Sequence, residues 1–160
     1  MEKKLFDTAV GRYQDMVYRV ALHAVASPSD AEDVVQEVFL RLYTYKKPFD
    51  NEEHLRRWLI RVTVNICKNI LKSWWRRRRV SLEDVAEPPV FDEPVEQELY
   101  NVVLSLPEKY RTVLDLFYYE ELSTAEIADT LGLRQSAVTT RLSRARNMLK
   151  KELGEDWKDE

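Results

Sequence analysis

Apolar residues recur at steps of three and four along most of this chain, and this spacing constrains its fold more than any other feature. Steps of three and four collect apolar side chains on one face of a helix, whereas a strand would alternate at every second residue. Only three glycines occur among 160 residues, so few positions favour a break in a helix. The spacing therefore predicts an all-α fold.

A segment rich in proline and acid divides the chain. Residues 80–94 hold three prolines and five acidic residues, and Pro88-Pro89 favours an extended, fairly stiff path. We expect two small helical domains, at 1–79 and 95–153, joined by a linker at 80–94 and followed by an acidic tail at 154–160. The second domain is small enough to bury only a limited core.

Start and stop signals place the first two helices. The first is expected from about Lys4 to Val25, because Pro28, three residues later, breaks the helix. Ser29 and Glu32 are the predicted capping box of the second helix. The predicted buried residues are Met16, Val17, Val20 and Ala21 in the first helix, and Ala31, Val34, Val35, Val38, Phe39 and Leu42 in the second.

The third helix, predicted from about Glu52 to Arg78 with Asp50 as its N-cap, carries a face without acids. Its predicted buried stripe is Leu55, Trp58, Leu59, Val62, Ile66 and Ile70. Six other residues follow steps of four and three on a second face, and we call them the basic face: Arg57, Arg61, Asn65, Lys68, Lys72 and Arg76. Like charges on one helix repel each other, so either an anionic partner offsets the repulsion or the surface tolerates it, and we favour the anionic partner.

Charge is sorted into blocks that the net charge of -3 conceals. Nine Lys or Arg and no acid lie from Leu55 to Arg79, and six bases and no acid lie from Arg134 to Lys151. Between them, Ser81 to Tyr100 holds seven acids and no base. Two basic tracts separated by an acidic spacer indicate two contacts with one polyanion.

Residues 123–146 have the pattern of a helix-turn-helix. Ser123 and Glu126 form a predicted capping box, and Gly132 can take the left-handed conformation that the turn needs. The predicted core is Ile127, Leu131, Leu133 and Val138. The second helix, from Gln135 or Ser136 to about Lys151, would enter a major groove, where Arg pairs with guanine and Gln with adenine. The candidates for base or phosphate contact are Arg134, Gln135, Ser136, Thr139 and Thr140, while Arg141, Arg144 and Arg146 are expected to hold phosphates or neighbouring chain.

Two further helices precede this motif, and Leu99, Val102, Val103 and Leu106 mark the first of them. Ser105 and Glu108 are predicted as the capping box of the second, with Pro107 in the first turn. The residues expected inward are Tyr110, Val113, Leu114 and Phe117.

Three blocks together resemble the sigma-70 family of bacterial RNA polymerase specificity subunits, in its short extracytoplasmic-function (ECF) group. They are DAEDVVQEVFLRLY from Asp30, HLRRWLIRVTVNICKNILKSWWRRRR from His54, and LPEKYRTVLDLFYYEELSTAEIADTLGLRQSAVTTRLSRAR from Leu106. The resemblance covers about residues 5–152. It implies an alternative sigma factor that binds core RNA polymerase, directs it to promoters and helps melt the −10 region.

The resemblance also implies a division of labour. The core-polymerase contacts would be Asp30, Glu32, Asp33, Gln36 and Glu37. The basic face and the loop before it (45–54) would read and melt the −10 element, and the helix-turn-helix would read the −35 element. Ser136 and Thr139 stand where the family commonly has a small residue and a Lys, so the base preferences stay open.

Several expectations concern partners and chemistry. A lone Cys67, no apolar signal core and no apolar run of about 20 residues indicate a cytoplasmic protein without membrane insertion. His23 and His54 have no partners at metal-ligand spacing, and no catalytic triad or nucleotide-binding glycine loop occurs, so we expect no metal, no cofactor and no enzyme activity. The ECF resemblance implies an anti-sigma partner, and we expect a monomer when free.

Two alternatives stay open at this point. A stand-alone helix-turn-helix regulator would dimerise and bind a palindromic site. A protein-interaction decoy for an inhibitor would tolerate replacement of arginines in both basic tracts.

Overall fold

The computed structural model describes residues 1–76 and 101–154, with backbone only for 74–76. Every regular element in those ranges is helical, which confirms the all-α prediction. The chain divides into two compact units, Met1–Pro88 and Pro89–Glu160. The predicted linker and acidic tail lie largely or wholly outside the described residues.

The first unit consists of three helices packed against one another: α1 (Lys3–Val25), α2 (Pro28–Thr44) and α3 (Glu52–Arg76). All four residues predicted as buried in α1 are buried, and five of the six in α2, with Val35 half-buried. Since α3 contacts both α1 and α2, its buried arc is wide. That arc centres on Leu59, Ile60, Thr63, Val64, Ile66 and Cys67, while Leu55, Trp58, Val62 and Ile70 are only half-buried, so the predicted stripe was displaced.

Two predicted caps in this unit were wrong. Ala26 takes a left-handed conformation at the end of α1 and reverses the chain, so Ser27 becomes the N-cap of α2 and accepts a hydrogen bond from the Asp30 amide at 3.4 Å. Pro28 therefore opens α2, a position where its missing N–H costs nothing. Asn51, not Asp50, caps α3, because its Oδ1 accepts from the His54 amide at 2.8 Å.

The second unit contains α4 (Glu108–Leu114), which runs into a wider π-helical turn at Asp115–Tyr119, then α5 (Thr124–Leu131) and α6 (Gln135–Leu153). Residues 101–105 are also helical. Both α4 and α5 pack on α6. Fully buried Leu116, Ile127, Val138 and Leu142 form the centre of this core.

The predicted capping box of α4 was also wrong. Ser105 Oγ donates instead to the Val102 carbonyl at 2.5 Å, and Glu108 accepts from the Thr112 hydroxyl at 3.0 Å. Pro107 occupies the N-cap position and makes no side-chain cap bond. Tyr110, Val113 and Leu114 are buried as expected, whereas Phe117 is half-buried in the π-helical turn.

No helix in the described ranges combines the length and apolar character that a membrane crossing requires.

Candidate nucleic-acid interface

The basic face lies along α3 as the spacing predicts. Arg61, Asn65 and Lys72 are exposed, whereas Arg57 and Lys68 are half-buried. A helix rises about 1.5 Å per residue, so the stretch from Arg57 to Lys72 extends roughly 22 Å. The only acids of α3, Glu52 and Glu53, both lie in its first turn. The exposed part of this surface is therefore positive over several nucleotide lengths.

A buried tyrosine fixes the beginning of α3 against α1. The Tyr13 hydroxyl donates to Glu52 Oε2 at 2.6 Å, and Arg12 Nη1 lies 3.0 Å from the same oxygen. The hydrogen bond from Tyr13, together with the guanidinium, lowers the pKa of Glu52 below its ordinary value. Burial, and then the hydrogen bond to Glu52, raises the pKa of Tyr13. This link was not visible in the sequence, because Tyr13 and Glu52 are 39 positions apart.

The lowered pKa of Glu52 makes the first unit's stability depend on pH. A carboxyl group whose pKa is depressed by folding contributes stability above its unfolded pKa, and that contribution is lost as pH falls through the folded pKa. We therefore expect the urea midpoint of wild type to exceed that of Glu52→Gln at pH 7. The difference should shrink as the pH falls below 4.5, the ordinary pKa of a glutamate side chain. The effect is small because the Glu52 side chain is 64% exposed. In a Tyr13→Phe background the difference should shrink further, and an unchanged difference would contradict the assignment.

Aromatic rings order the loop that leads into α3. Tyr45 stacks on Phe49 with ring centroids 5.3 Å apart, and Trp58 lies 4.9 Å from Tyr45 and 5.6 Å from Phe49. Half-buried Trp58 is thus part of this cluster. Trp74 and Trp75 are outside the described side chains.

Beside the loop, a cleft of about 750 Å³ opens towards the start of α1. Its walls include Ala9, Arg12, Tyr13, Tyr45, Phe49 and Leu55. The cleft combines aromatic and aliphatic surface with the cations of Arg12, Lys46 and Lys47 and the carboxylates of Glu2 and Glu52. Sequence reasoning named the loop but not this cleft.

The face of α2 predicted to dock on a partner is exposed. Glu32, Asp33, Gln36 and Glu37 are exposed and Asp30 is half-buried, while Glu37 pairs with Arg41 at 3.1 Å. Leu40 lies among these polar residues and is 60% exposed, and Tyr43 is 52% exposed. Both apolar residues were missed, although Leu40 is visible in the sequence as an apolar residue outside the buried stripe.

In the second unit, α5, the turn and α6 form the predicted helix-turn-helix. Ser123 Oγ accepts from the Glu126 amide and Glu126 Oε1 accepts from the Ser123 amide, both at 3.1 Å, which confirms this capping box. Gly132 takes the left-handed conformation, with φ 67°. Ile127, Leu131 and Val138 are buried and Leu133 is half-buried.

The predicted contact residues of α6 occupy its outer surface. Arg134, Gln135, Ser136, Thr139, Thr140 and Arg144 are exposed, and Arg141 is half-buried. Thr139 donates to the Gln135 carbonyl at 3.1 Å. Gln135 Nε2 donates to Thr124 Oγ1, at the start of α5, at 2.8 Å. This bond joins the amide of Gln135 to the start of α5.

Arg146 was expected to hold a phosphate or a neighbouring segment of the chain, and it contacts a neighbouring segment. Its Nε donates to the Tyr118 hydroxyl at 2.6 Å, and its guanidinium lies 5.6 Å from the ring centres of both Phe117 and Tyr118. This contact ties α6 to the π-helical turn. Within the described residues, no group of three or more His, Cys, Asp or Glu is placed to hold a metal ion.

A basic helix in one helical unit and a helix-turn-helix in the other are features typical of a transcription protein. Family models described as Sigma-70 region 2 and Sigma-70, region 4 match residues 9–79 and 96–149. The ECF RNA polymerase sigma factor SigW of Bacillus subtilis is 30% identical over 169 residues, covering 95% of this chain and 90% of the relative. The RNA polymerase sigma-E factor of Streptomyces coelicolor is 32% identical over 156 residues, covering 92% and 85%.

Solved structures share the fold. The sigma factor RpoE from Bartonella quintana, in complex with the anti-sigma factor NepR, superposes with a TM-score of 0.78 at 21% identity, covering 96% of this chain and 99% of that one. CnrH, in complex with the cytosolic domain of CnrY, gives 0.65 at 24% identity, covering 98% and 92%. The chain belongs to the ECF group of the sigma-70 family of RNA polymerase sigma factors. It is therefore an alternative sigma factor, from a family that is not known for enzymatic activity.

Proposed function

We propose that this chain binds core RNA polymerase, reads promoter −35 and −10 elements with its two units, and helps hold the −10 region melted. The observation that carries the proposal is the pairing of an exposed basic face on α3 with an exposed helix-turn-helix surface on α6. RNA synthesis belongs to the polymerase, so the chain itself is not an enzyme. The chain acts in the cytoplasm together with the polymerase. Membership of the family favours this function over a stand-alone regulator or a decoy.

The α2 surface docks on the clamp helices of the largest polymerase subunit. Its polar contacts are Asp30, Glu32, Asp33, Gln36 and Glu37. Residues 33, 36, 37 and 40 share one side of the helix, so Leu40, at 60% exposure, adds an apolar contact among the charges. An apolar centre with a polar rim is the usual composition of a protein interface.

The −10 element binds along the basic face and the loop before it. Arg57, Arg61, Lys68, Lys72 and Arg76 hold phosphates, and Asn65 contributes polar contacts. Melted DNA also requires a place for unstacked bases, since aromatic surfaces stabilise them by stacking. The cleft beside Tyr45 and Phe49 has the aromatic lining that this role needs.

The −35 element is read as duplex by α6. Its first residues enter the major groove, as in other helix-turn-helix proteins. Arg134, Gln135, Ser136, Thr139 and Thr140 contact bases or phosphates, and Arg141 and Arg144 hold phosphates. Tight binding requires both elements at once, because each unit alone offers few phosphate contacts.

The domain assignment follows from these roles. Residues 1–79 bind polymerase and the −10 element, and 95–153 bind the −35 element. The acidic linker at 80–94 follows the polymerase channels meant for nucleic acid, where its charge imitates that of a nucleic acid. Residues 154–160 form the acidic tail.

The free chain is a monomer controlled by an anti-sigma protein. For the anti-sigma partner, the support comes from the complexes of RpoE with the anti-sigma factor NepR and of CnrH with the cytosolic domain of CnrY, both of which share this fold.

Run-off transcription tests the proposal. Core polymerase from the source bacterium is supplied with a library of its genomic fragments, with and without the chain. New transcripts from discrete starts that need the chain are expected, and Arg144→Glu should abolish them. The matched control is Lys151→Glu, the same charge reversal on the exposed end of α6 outside the proposed contacts. Absence of transcripts, with a duplex footprint by the chain alone, would instead identify a stand-alone regulator.

A further inference from the structure

The hydrogen bond between Gln135 and Thr124 connects the first residues of the two helices of the helix-turn-helix. Gln135 opens α6 and Thr124 opens α5, and Nε2 of the former lies 2.8 Å from Oγ1 of the latter. Gln135 is exposed, so its amide is ordered on the surface that the proposed function assigns to the −35 duplex. Thr124 itself is half-buried beside the capping box.

The bond uses only one of the hydrogen-bonding groups of the amide. A glutamine amide has two N–H donors and an oxygen with two lone pairs. With one N–H given to Thr124, the second N–H and Oε1 remain available as a donor beside an acceptor. That pair matches adenine in the major groove, where N7 accepts and the N6 amino group donates.

We propose that Gln135 selects adenine at one position of the −35 element and that Thr124 is the positioning residue that holds its amide ready to do so. The inference rests on the proposed function. It adds the base that is recognised, adenine, and the residue that orients Gln135, which is Thr124. An unattached glutamine must lose its side-chain freedom on binding, which costs affinity. Thr124 imposes that order before DNA arrives.

The two residues predict different losses. A bidentate pair discriminates against a wrong base by roughly 5- to 150-fold, so Gln135→Ala should lose a preference of that size at one position. Thr124→Val keeps the branched shape and removes the hydroxyl. Because only preorganisation is lost, it should lower the same adenine preference by about 2- to 10-fold.

The experiment uses the holoenzyme, core polymerase plus the full chain, on promoters randomised across the −35 element. Transcripts are counted for wild type, Gln135→Ala, Thr124→Val and Thr124→Ser. Wild type and Thr124→Ser, which retains a hydroxyl, should prefer adenine at one position. Thr124→Val should weaken the preference there and nowhere else, and thermal unfolding checks that all variants fold.

Three results would overturn the inference. If the holoenzyme transcribes but shows no adenine preference that depends on Gln135, then Gln135 does not select adenine. A Thr124→Val variant that keeps the full preference, or that weakens every position equally, would remove the positioning role. In these cases transcription still depends on the chain and the proposed function survives. If wild-type holoenzyme makes no transcripts at all, the proposed function fails and this inference fails with it.

Discussion

Replacing Arg61 and Lys72 together with glutamine should weaken open-complex formation about a hundredfold at low salt and reduce its salt dependence. Both side chains are exposed on the basic face. A charge-assisted hydrogen bond to phosphate contributes roughly 1.5 kcal/mol or more, about tenfold in affinity for each contact. Each lost contact also lowers the slope of log K against log salt concentration, because fewer counterions are released.

The size of the slope change identifies which form of DNA lies on α3. It is about 0.7 per contact for single strands and about 0.9 per contact for duplex DNA. Two lost contacts at a melted −10 element should therefore lower the slope by about 1.4, against about 1.8 if the helix held only duplex. The measurement is the equilibrium constant for open complexes at several salt concentrations, with permanganate footprinting to report melting.

The matched control is Lys3→Gln with Lys4→Gln, two exposed lysines of the same unit in the first turn of α1. The net charge change is identical, so general electrostatic attraction falls equally in both proteins. A slope unchanged in the α3 variant, or lowered equally in the control, would show that the basic face does not hold promoter phosphates.

Local sequence signals predicted part of this architecture well. The capping box at Ser123 was predicted correctly, whereas the same spacing at Ser29 and Glu32 and at Ser105 and Glu108 formed no capping box. The caps at Ser27 and Asn51 were missed because two neighbouring polar residues could each serve. Which of them caps depends on where the preceding chain turns, as the left-handed Ala26 illustrates.

The buried residues of α3 differ from the predicted stripe because of how this helix packs. The predicted stripe covers one side of α3, whereas α3 contacts both α1 and α2 and buries Ile60 and Val64 as well as residues of moderate polarity. Thr63 is fully buried because its hydroxyl donates to the Leu59 carbonyl at 2.6 Å, which satisfies the donor inside the core. Cys67 is likewise 1% exposed. Thr63 and Cys67 lie three and seven residues after buried Ile60 and therefore share its face.

The sequence predicted which helix surfaces make up the proposed site, but not the contacts between helices within it. Spacing located the basic face and the start of α6 because both follow from a single helix. The link from Gln135 to Thr124 joins two helices, and the link from Tyr13 to Glu52 joins α1 to α3. Such pairs depend on the angle at which helices cross, which a one-helix pattern does not contain.

Two leucines on α2 should separate folding from polymerase binding. Leu42 is fully buried and Leu40 is 60% exposed. Truncating a buried leucine removes apolar contacts and leaves a cavity, so Leu42→Ala should lower the free energy of unfolding of the first unit by about 2–5 kcal/mol. Leu40→Ala should change it by no more than about 0.5 kcal/mol. Urea unfolding followed by tryptophan fluorescence reports on this unit, since Trp58, Trp74 and Trp75 are three of the four tryptophans.

Polymerase binding should show the reverse order at a temperature where both variants are folded. If Leu40 is buried by the clamp helices, its truncation loses roughly 1.5 kcal/mol of apolar burial and weakens binding to core polymerase about tenfold. Leu42→Ala leaves the α2 surface intact, so its folded fraction should bind with wild-type affinity. Equal affinities for Leu40→Ala and wild type would remove Leu40 from the docking surface and leave its polar neighbours to provide the contact. Because both substitutions are Leu→Ala on the same helix, helix propensity cannot account for opposite effects on stability and binding.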